Sequence, residues 1–314
     1  MKRAKAFIGA IVANYGKDNT AQLAGSLAFF TALAMAPLLI IMTAIAGFIF
    51  GTEAAQQELV GRAREVAGPE AAEIVKTALE NAAEPGAGII ALLIGVAGLL
   101  FGASNIFVQL QLALNRIWGV AANPDQALRA TIGRRLSALL YVVGAGLVLI
   151  ALLLAGALMS TLRTALADSL PGAGALWTVI DAGVSLALYT VIFAMIFKIL
   201  PRAEIAWHDV WLGALVTAVL FTVGKFLLSW YLGGGTMASV YGAAGSLLVV
   251  LIWIYYTSQI LFFGAQFTQV YARVRGRGIK PQGDAVLLHE AEQRQRADID
   301  KQVGIARGGT GNAA

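Results

Sequence analysis

The stretch Trp211–Phe267 reads WLGALVTAVLFTVGKFLLSWYL, then GGGTMASVYG, then AAGSLLVVLIWIYYTSQILFFGAQF. Each apolar run exceeds the ~20 residues that cross ~30 Å of hydrocarbon at ~1.5 Å per residue. The joining turn, Gly233–Gly242, carries no charge. Basic residues stand outside the pair, Lys198 and Arg202 before it and Arg273, Arg275 and Arg277 after it. Membrane loops rich in Lys and Arg stay in the cytoplasm, so the runs read as a helical hairpin with both ends inside. Lys225 lies within the first run, a full charge among apolar neighbours.

The rest of the chain has the same character. Its 314 residues are 58% hydrophobic and 13% charged, against about 25% charged in ordinary soluble domains. The apolar residues come in blocks long enough to span a bilayer, so the expected class is an integral membrane protein. Absence of cysteine excludes disulfides, thiolate metal sites and cysteine nucleophiles. Two histidines, His208 and His289, are too few and too far apart in sequence for a metal cluster. No metal or other cofactor is expected, and no G-x-x-x-x-G-K-[ST] phosphate loop is present. The formal net charge of +5 collects beside apolar segments. Orientation and anionic headgroups account for it there, so membrane lipids are the expected partners and nucleic acid is not.

Working outward, residues 1–20 place Phe7, Ile8, Ile11, Val12 and Tyr15 at helical spacing behind Lys2, Arg3 and Lys5. That pattern predicts an amphipathic helix lying on the inner membrane surface. A first span is expected over Leu27–Phe50, with Pro37 as a candidate hinge because it removes one backbone hydrogen bond. Residues 51–87 are acidic, and Gly68-Pro69 divides them into two short helices of an external loop. The second half sets Ile74, Val75, Ala78, Leu79 and Ala82 on one packing face. A second span over Gly88–Phe107 carries Gly98-x-x-x-Gly102, which permits close helix contact inside the bundle or in a homo-oligomer. Its periodicity continues to Trp118. Further spans are expected over Leu136–Leu158 and Leu176–Ile199, ahead of the hairpin. Residues 276–314 form a polar cytoplasmic tail with a short helix over Asp284–Gln302 and a disordered end.

Charge orients this arrangement. With both ends inside, 18 Lys and Arg fall on the cytoplasmic side and four in the outer loops, Lys225 completing the total of 23. The expected fold is therefore all-α and polytopic: six transmembrane helices across residues 21–275, N-in and C-in.

An ionisable group at membrane depth costs roughly 2.5–3.5 kcal/mol on insertion scales, so it usually faces protein or water. Asp181 and Lys225 stand at similar depth when counted from the outer ends of their spans. They read as a buried pair in an outward-opening polar cavity, or as a structural pair or a snorkelling lysine. Gln259 lies deeper in the last span and Gln266 near its inner end. Asn105, Gln109 and Gln111 line the inner end of the second span, where amides act as interhelical glue worth about 1 kcal/mol or less. Asn115 and Arg116 follow at headgroup level.

Several short motifs occur in one order along the chain: Ala24-Gly25-Ser26-Leu27-Ala28-Phe29-Phe30 with Pro37, Asn115-Arg116-Ile117-Trp118, Leu200-Pro201 and Trp207-x-Asp209. Gly213, Lys225, Tyr231, Tyr241-Gly242, Trp253-x-Tyr255-Tyr256 and Gly264-Ala265 continue the series. Together they resemble the YihY/BrkB family over about residues 5–275. The resemblance implies a six-helix protein of the bacterial inner membrane and adds Tyr231 and Tyr241 to the candidates. It departs at Gln266, where the family often carries glutamate. Members have been labelled ribonuclease BN, but phosphodiester hydrolysis by metal catalysis needs clustered carboxylates or histidines. Here Asp125, Glu204, His208 and Asp209 are dispersed, and no enzyme activity is expected.

Two functions follow. The first is a transporter or flippase-like protein handling a lipid or amphipathic envelope substrate, with Asp181, Lys225, Gln259, Gln266, Asn115, Arg116, Tyr231 and Tyr241 as its candidate residues. The second is a non-catalytic envelope scaffold that organises partners through the acidic outer helices or the tail.

Overall fold

The computed structural model describes residues 2–50, 52–67, 89–123, 174–232, 243–276, 278–283 and 285–297, with scattered positions in 69–77 and single positions at 144, 156 and 161. Helices α1 (Lys2–Lys17), α2 (Thr20–Phe50), α3 (Thr52–Ala67) and α4 (Ile89–Trp118) come first. After strand β1 (Val120–Ala122) follow α5 (Gly174–Ile199), β2 (Ala203–Glu204), α6 (Trp207–Leu232) and α7 (Ala243–Val274). Strands β3 (Lys280–Pro281) and β4 (Ala285–Leu287) lead into helix α8, over 288–297.

Local chemistry sets these boundaries. Asn19 takes the left-handed conformation at φ 52°, which asparagine tolerates better than most residues. It separates α1 from α2, and its carbonyl accepts the N–H groups of Gln22 and Leu23 to start the second helix. Gly119, at φ 68°, stops α4 just after Trp118, as glycine commonly does past a helix end. Leu200-Pro201 stops α5, since a residue before proline is pushed out of helical geometry. Helix α2 continues through Pro37, so the proline does not end it; its side chain lies outside the described residues, as does the expected span 136–158 apart from single positions.

Helix α5 packs along α6, α6 along α7, and α2 along both α4 and α7. Their shared core holds Leu114, Ile117 and Trp118 of α4, Phe193 and Phe197 of α5, Phe221 of α6 and Phe262 of α7. It sits toward the end where α1, the last turn of α4, the α5–α6 turn and the tail gather, here termed the basal end. Close approach depends on small residues. A methyl on Gly102 would lie 3.1 Å from Ala34 Cβ, so this glycine brings α4 against α2 within the bundle. Between α6 and α7, a methyl on Gly213 would overlap Thr268, and one on Gly264 would overlap Thr217.

Three segments, Val179–Ile199, Trp207–Leu228 and Leu248–Val274, are long and apolar enough to cross a membrane, among the described residues. Val184, Val191 and Met195 on α5, and Val219, Val223, Phe226 and Leu227 on α6, point away from the protein. Such a surface suits acyl chains and not water.

The tail differs from its expected form. Helix α8 lies within the short helix expected over Asp284–Gln302, but the segment before it folds back in two antiparallel ribbons, β1 with β4 and β2 with β3. Gln282 N–H donates to Arg202 O at 2.9 Å, and Leu288 N–H to Gly119 O at 2.9 Å. The all-α expectation therefore holds for the bundle and is corrected at its base. Ribbons of two or three residues leave no alternation for a sequence pattern to register.

Candidate functional site

Polar groups converge at the basal end. Asp18 follows directly on α1, its N–H donating to Asn14 O at 2.9 Å. Its Oδ2 accepts a hydrogen bond from Gln266 Nε2 at 2.6 Å. Gln266 is fully buried on α7, and its Oε1 has no hydrogen-bond partner among the described residues. One turn further on, buried Gln269 accepts from Asn14 Nδ2 at 3.4 Å. Phe7 meets Phe267 edge to face, with centroids 5.3 Å apart. Two amide contacts and one ring pair thus fix α1 to α7, while Ile8 and Val12 stay exposed beside buried Ile11. That division fits a helix with one side on protein and a neighbouring side in the interface.

Burial raises the Asp18 carboxyl above its ordinary value, against the opposing pull of the Gln266 hydrogen bond and of Arg116, Lys17 and Arg273. Desolvation outweighs a hydrogen bond and three nearby cations together. Tyr15, one turn before, is pushed up to about 12, by burial first and then by Tyr255.

A cavity opens beside these groups and another adjoins it. One, of about 430 Å³, lies between α1, the end of α4, α7 and the tail, and is lined by Asn14, Lys17, Asp18, Arg116, Gln269, Arg273, His289 and Glu292 among others. The other, of about 550 Å³, includes Lys198, Glu204, Asp209, Lys280 and Gln282. Trp118, Gly278 and Ile279 belong to both walls. Trp118 is 1% exposed, and its Nε1 has no hydrogen-bond partner among the described residues.

Neighbouring amides hold the frame. Asn115 Oδ1 accepts the Arg202 N–H at 2.8 Å, and Gln111 Nε2 donates to Leu200 O at 3.0 Å. Both secure the turn that follows α5, the glue role expected of such amides. Lys198 Nζ donates to Ile205 O at 2.5 Å and lies 5.5 Å from the Trp207 ring centroid.

The expected Asp181–Lys225 pair does not form. Asp181 is exposed, whereas the half-buried Lys225 ammonium stands 5.8 Å from the Tyr189 ring and 5.5 Å from Phe226. Helix register explains the miss. Tyr189 packs on Phe221 at 5.0 Å and also faces Lys225. Asp181 lies eight residues beyond Tyr189, about 12 Å along α5, and so level with the end of α6. Counting from span ends had assumed helices that start at one height.

Of the other candidates, Gln266 and Arg116 meet at the basal site and Asn115 supports it. Gln259 lies apart on α7, half-buried, its Oε1 without a hydrogen-bond partner among the described residues. The side chains of Tyr231 and Tyr241 are outside the described residues. Sequence reasoning passed over Asp18, Asn14, Gln269, Arg273 and Trp118 as parts of one site. Two signals were present: Asp18-Asn19 ahead of an apolar run is a helix-start signature, and Gln266 and Gln269 share a face at i, i+3.

Residues 11–287 match the family model described as Virulence factor BrkB. The chain is 26% identical to a UPF0761 membrane protein of Alkalilimnicola ehrlichii, over 83% of this chain and 57% of that protein. It is 27% identical to one from Rhodospirillum centenum, over 95% and 66%, and 29% identical to one from Ralstonia nicotianae, over 83% and 57%. The chain thus spans 57% to 66% of the length of these relatives. No solved structure matches.

Proposed function

The chain belongs to the BrkB family and is a multi-pass bacterial membrane protein, and from that premise we propose that it is a transporter of an amphipathic envelope lipid. In this reading six helices cross the inner membrane with both ends in the cytoplasm, as the distribution of Lys and Arg favours. The polar headgroup enters at the basal end while the apolar part stays against the exposed faces of α5 and α6.

One observation carries the reading. A bundle with an apolar outer surface encloses, at one end, a charged cavity walled by Lys17, Arg116 and Arg273 and backed by half-buried Asp18 bonded to buried Gln266. Polar groups at such a position are costly unless they meet protein, water or a polar ligand. Lys225 is not needed: its ammonium is turned toward aromatic rings, a contact worth about 0.5–2 kcal/mol.

Liposomes holding the purified full chain and a fluorescent phospholipid test this directly. The protein should raise the fraction of probe that a membrane-impermeant quencher reaches, Gln266→Leu should slow it, and Lys225→Met should not. An unchanged basal rate with the wild-type chain rejects transport. The scaffold reading draws on α3, whose Glu53 and Glu58 are exposed while Leu59 is buried. Under it, deleting residues 53–84 removes function, whereas lipid movement in liposomes never appears.

A further inference from the structure

We infer that the cavity of about 430 Å³ between α1, α4 and α7 is a binding site for a phosphate-ester anion. The inference rests on the transport reading only for its setting in the membrane, and it names the headgroup chemistry that the reading leaves open.

Three helices each end on a cation at this cavity. Lys17 closes α1, Arg116 lies in the last turn of α4, and Arg273 in the last turn of α7. All three act electrostatically on Asp18. Basic residues near helix C-termini are ordinary taken singly. Convergence of three on one cavity is not explained by that preference, because like charges repel. With Asp18 and Glu292 as the acids of the same wall, the formal balance is one positive charge, with His289 beside them. A phosphodiester carries one negative charge and only acceptor oxygens, and guanidinium groups match its geometry in two parallel hydrogen bonds.

The wall supplies an independent sign of a missing acceptor. Trp118 is buried, its Nε1–H has no acceptor among the described residues, and the residue lies in the wall between this cavity and its neighbour. An indole can only donate, so an acceptor held in the space beside Trp118 would satisfy this group. A phosphate oxygen meets that need and the three cations together. Ile117, Ile279, Leu287 and Leu288 complete the wall, giving an apolar flank where the glycerol and first acyl carbons of a lipid would rest.

Calorimetric titration of the full chain in a neutral maltoside detergent decides the matter. The probes are inorganic phosphate, glycerol phosphate, dioctanoyl phosphatidylglycerol and, as the phosphate-free control, dioctanoylglycerol. The first three should include at least one binder, and dioctanoylglycerol should not bind. Arg116→Gln with Arg273→Gln should weaken that binder at least tenfold, as expected from losing one charge-assisted hydrogen bond. Trp118→Phe, which keeps the ring and removes the N–H, should weaken it severalfold. Lys280→Gln, in the other cavity, should leave it unchanged. Binding of phosphatidylglycerol alone identifies a lipid headgroup, and equal binding of inorganic phosphate identifies a soluble anion. The proposal falls if no phosphate probe binds at millimolar concentration, or if the folded arginine double variant binds as wild type does. Binding without lipid movement in liposomes would keep the site and reject transport, so the two readings fail separately.

Discussion

Asp18 is a carboxyl whose protonated form the fold favours. Burial lifts it more than Gln266, Arg116, Lys17 and Arg273 lower it. The folded chain therefore holds the proton more tightly than the unfolded chain, and linkage fixes the sign of the consequence. Stability is greatest while Asp18 is protonated, falls as pH rises from the ordinary carboxylate value through the raised one, and stays lowered above it. Asp18→Asn keeps an oxygen that accepts from Gln266 Nε2 and removes the titration. Its melting temperature in detergent should lack that fall and equal or exceed wild type at neutral pH. A mutant curve parallel to wild type across the acid range would mean that another group sets the slope. At this scale the sequence was legible where chemistry is one-dimensional. It showed that Gln266 and Arg116 occupy an inner end, but no spacing rule joins residue 18 to residue 266, since only the packing of α1 on α7 does so.

Helix α6 and helix α7 meet through a reciprocal pair of small residues. Thr217 and Thr268 each donate a hydroxyl hydrogen bond, at 2.7 Å, to the glycine one turn earlier on their own helix, Gly213 and Gly264 respectively. Each threonine then sits over the glycine of the opposite helix, where no Cβ fits. All four residues are buried. Gly264→Ala should destabilise the chain by about 1–3 kcal/mol, the usual range for overpacking, read as a lower unfolding midpoint in detergent. Gly264→Ala with Thr217→Ala should recover part of that loss, because it removes the Thr217 hydroxyl, the closest clashing atom, while the Thr217 Cβ stays 2.9 Å away; an additive double variant would show that the backbone, not the Thr217 hydroxyl, sets the spacing. The tail offers a second test of pairing between elements. Ala121 lies opposite Val286 in the β1–β4 ribbon, where facing Cα atoms stand about 4.5–5.5 Å apart and a disulfide spans about 4.4–6.8 Å. The chain has no cysteine of its own, so Ala121→Cys with Val286→Cys should cross-link on mild oxidation, detected by mass spectrometry of a digest. Free thiols after oxidation would argue against a docked tail. Long helices were legible because thirty apolar residues repeat one signal many times, whereas the ribbons are too short to carry any.

At the scale of the whole molecule, the sequence specified which segments are apolar far better than how they face one another. The predicted inner extension of the second span to Trp118 matches α4, and the spans at Leu176–Ile199 and Trp211–Leu232 lie within α5 and α6. Rotation about each axis was not legible, which is why Asp181 and Lys225 looked like partners until register separated them. Membrane orientation is a further property that helix packing does not contain, because an isolated bundle reads the same in either direction. The argument for it comes from charge: under the proposed six-span arrangement, 18 Lys and Arg fall on one side against four on the other. The absence of cysteine makes the orientation measurable with single introduced thiols. Gln57 on α3 and Arg296 on α8 are both exposed. In intact bacterial protoplasts a membrane-impermeant maleimide should label Gln57→Cys and leave Arg296→Cys unlabelled until the membrane is permeabilised. The reverse pattern would turn the basal cavity and its cations to the outside, and labelling of both in intact protoplasts would rule out the six-span count. Only the expected pattern sets Lys17, Arg116 and Arg273 against the inner leaflet, where anionic headgroups are most concentrated and where a surface attraction of about 1 kcal/mol per basic residue would draw a phosphate ester toward the cavity mouth.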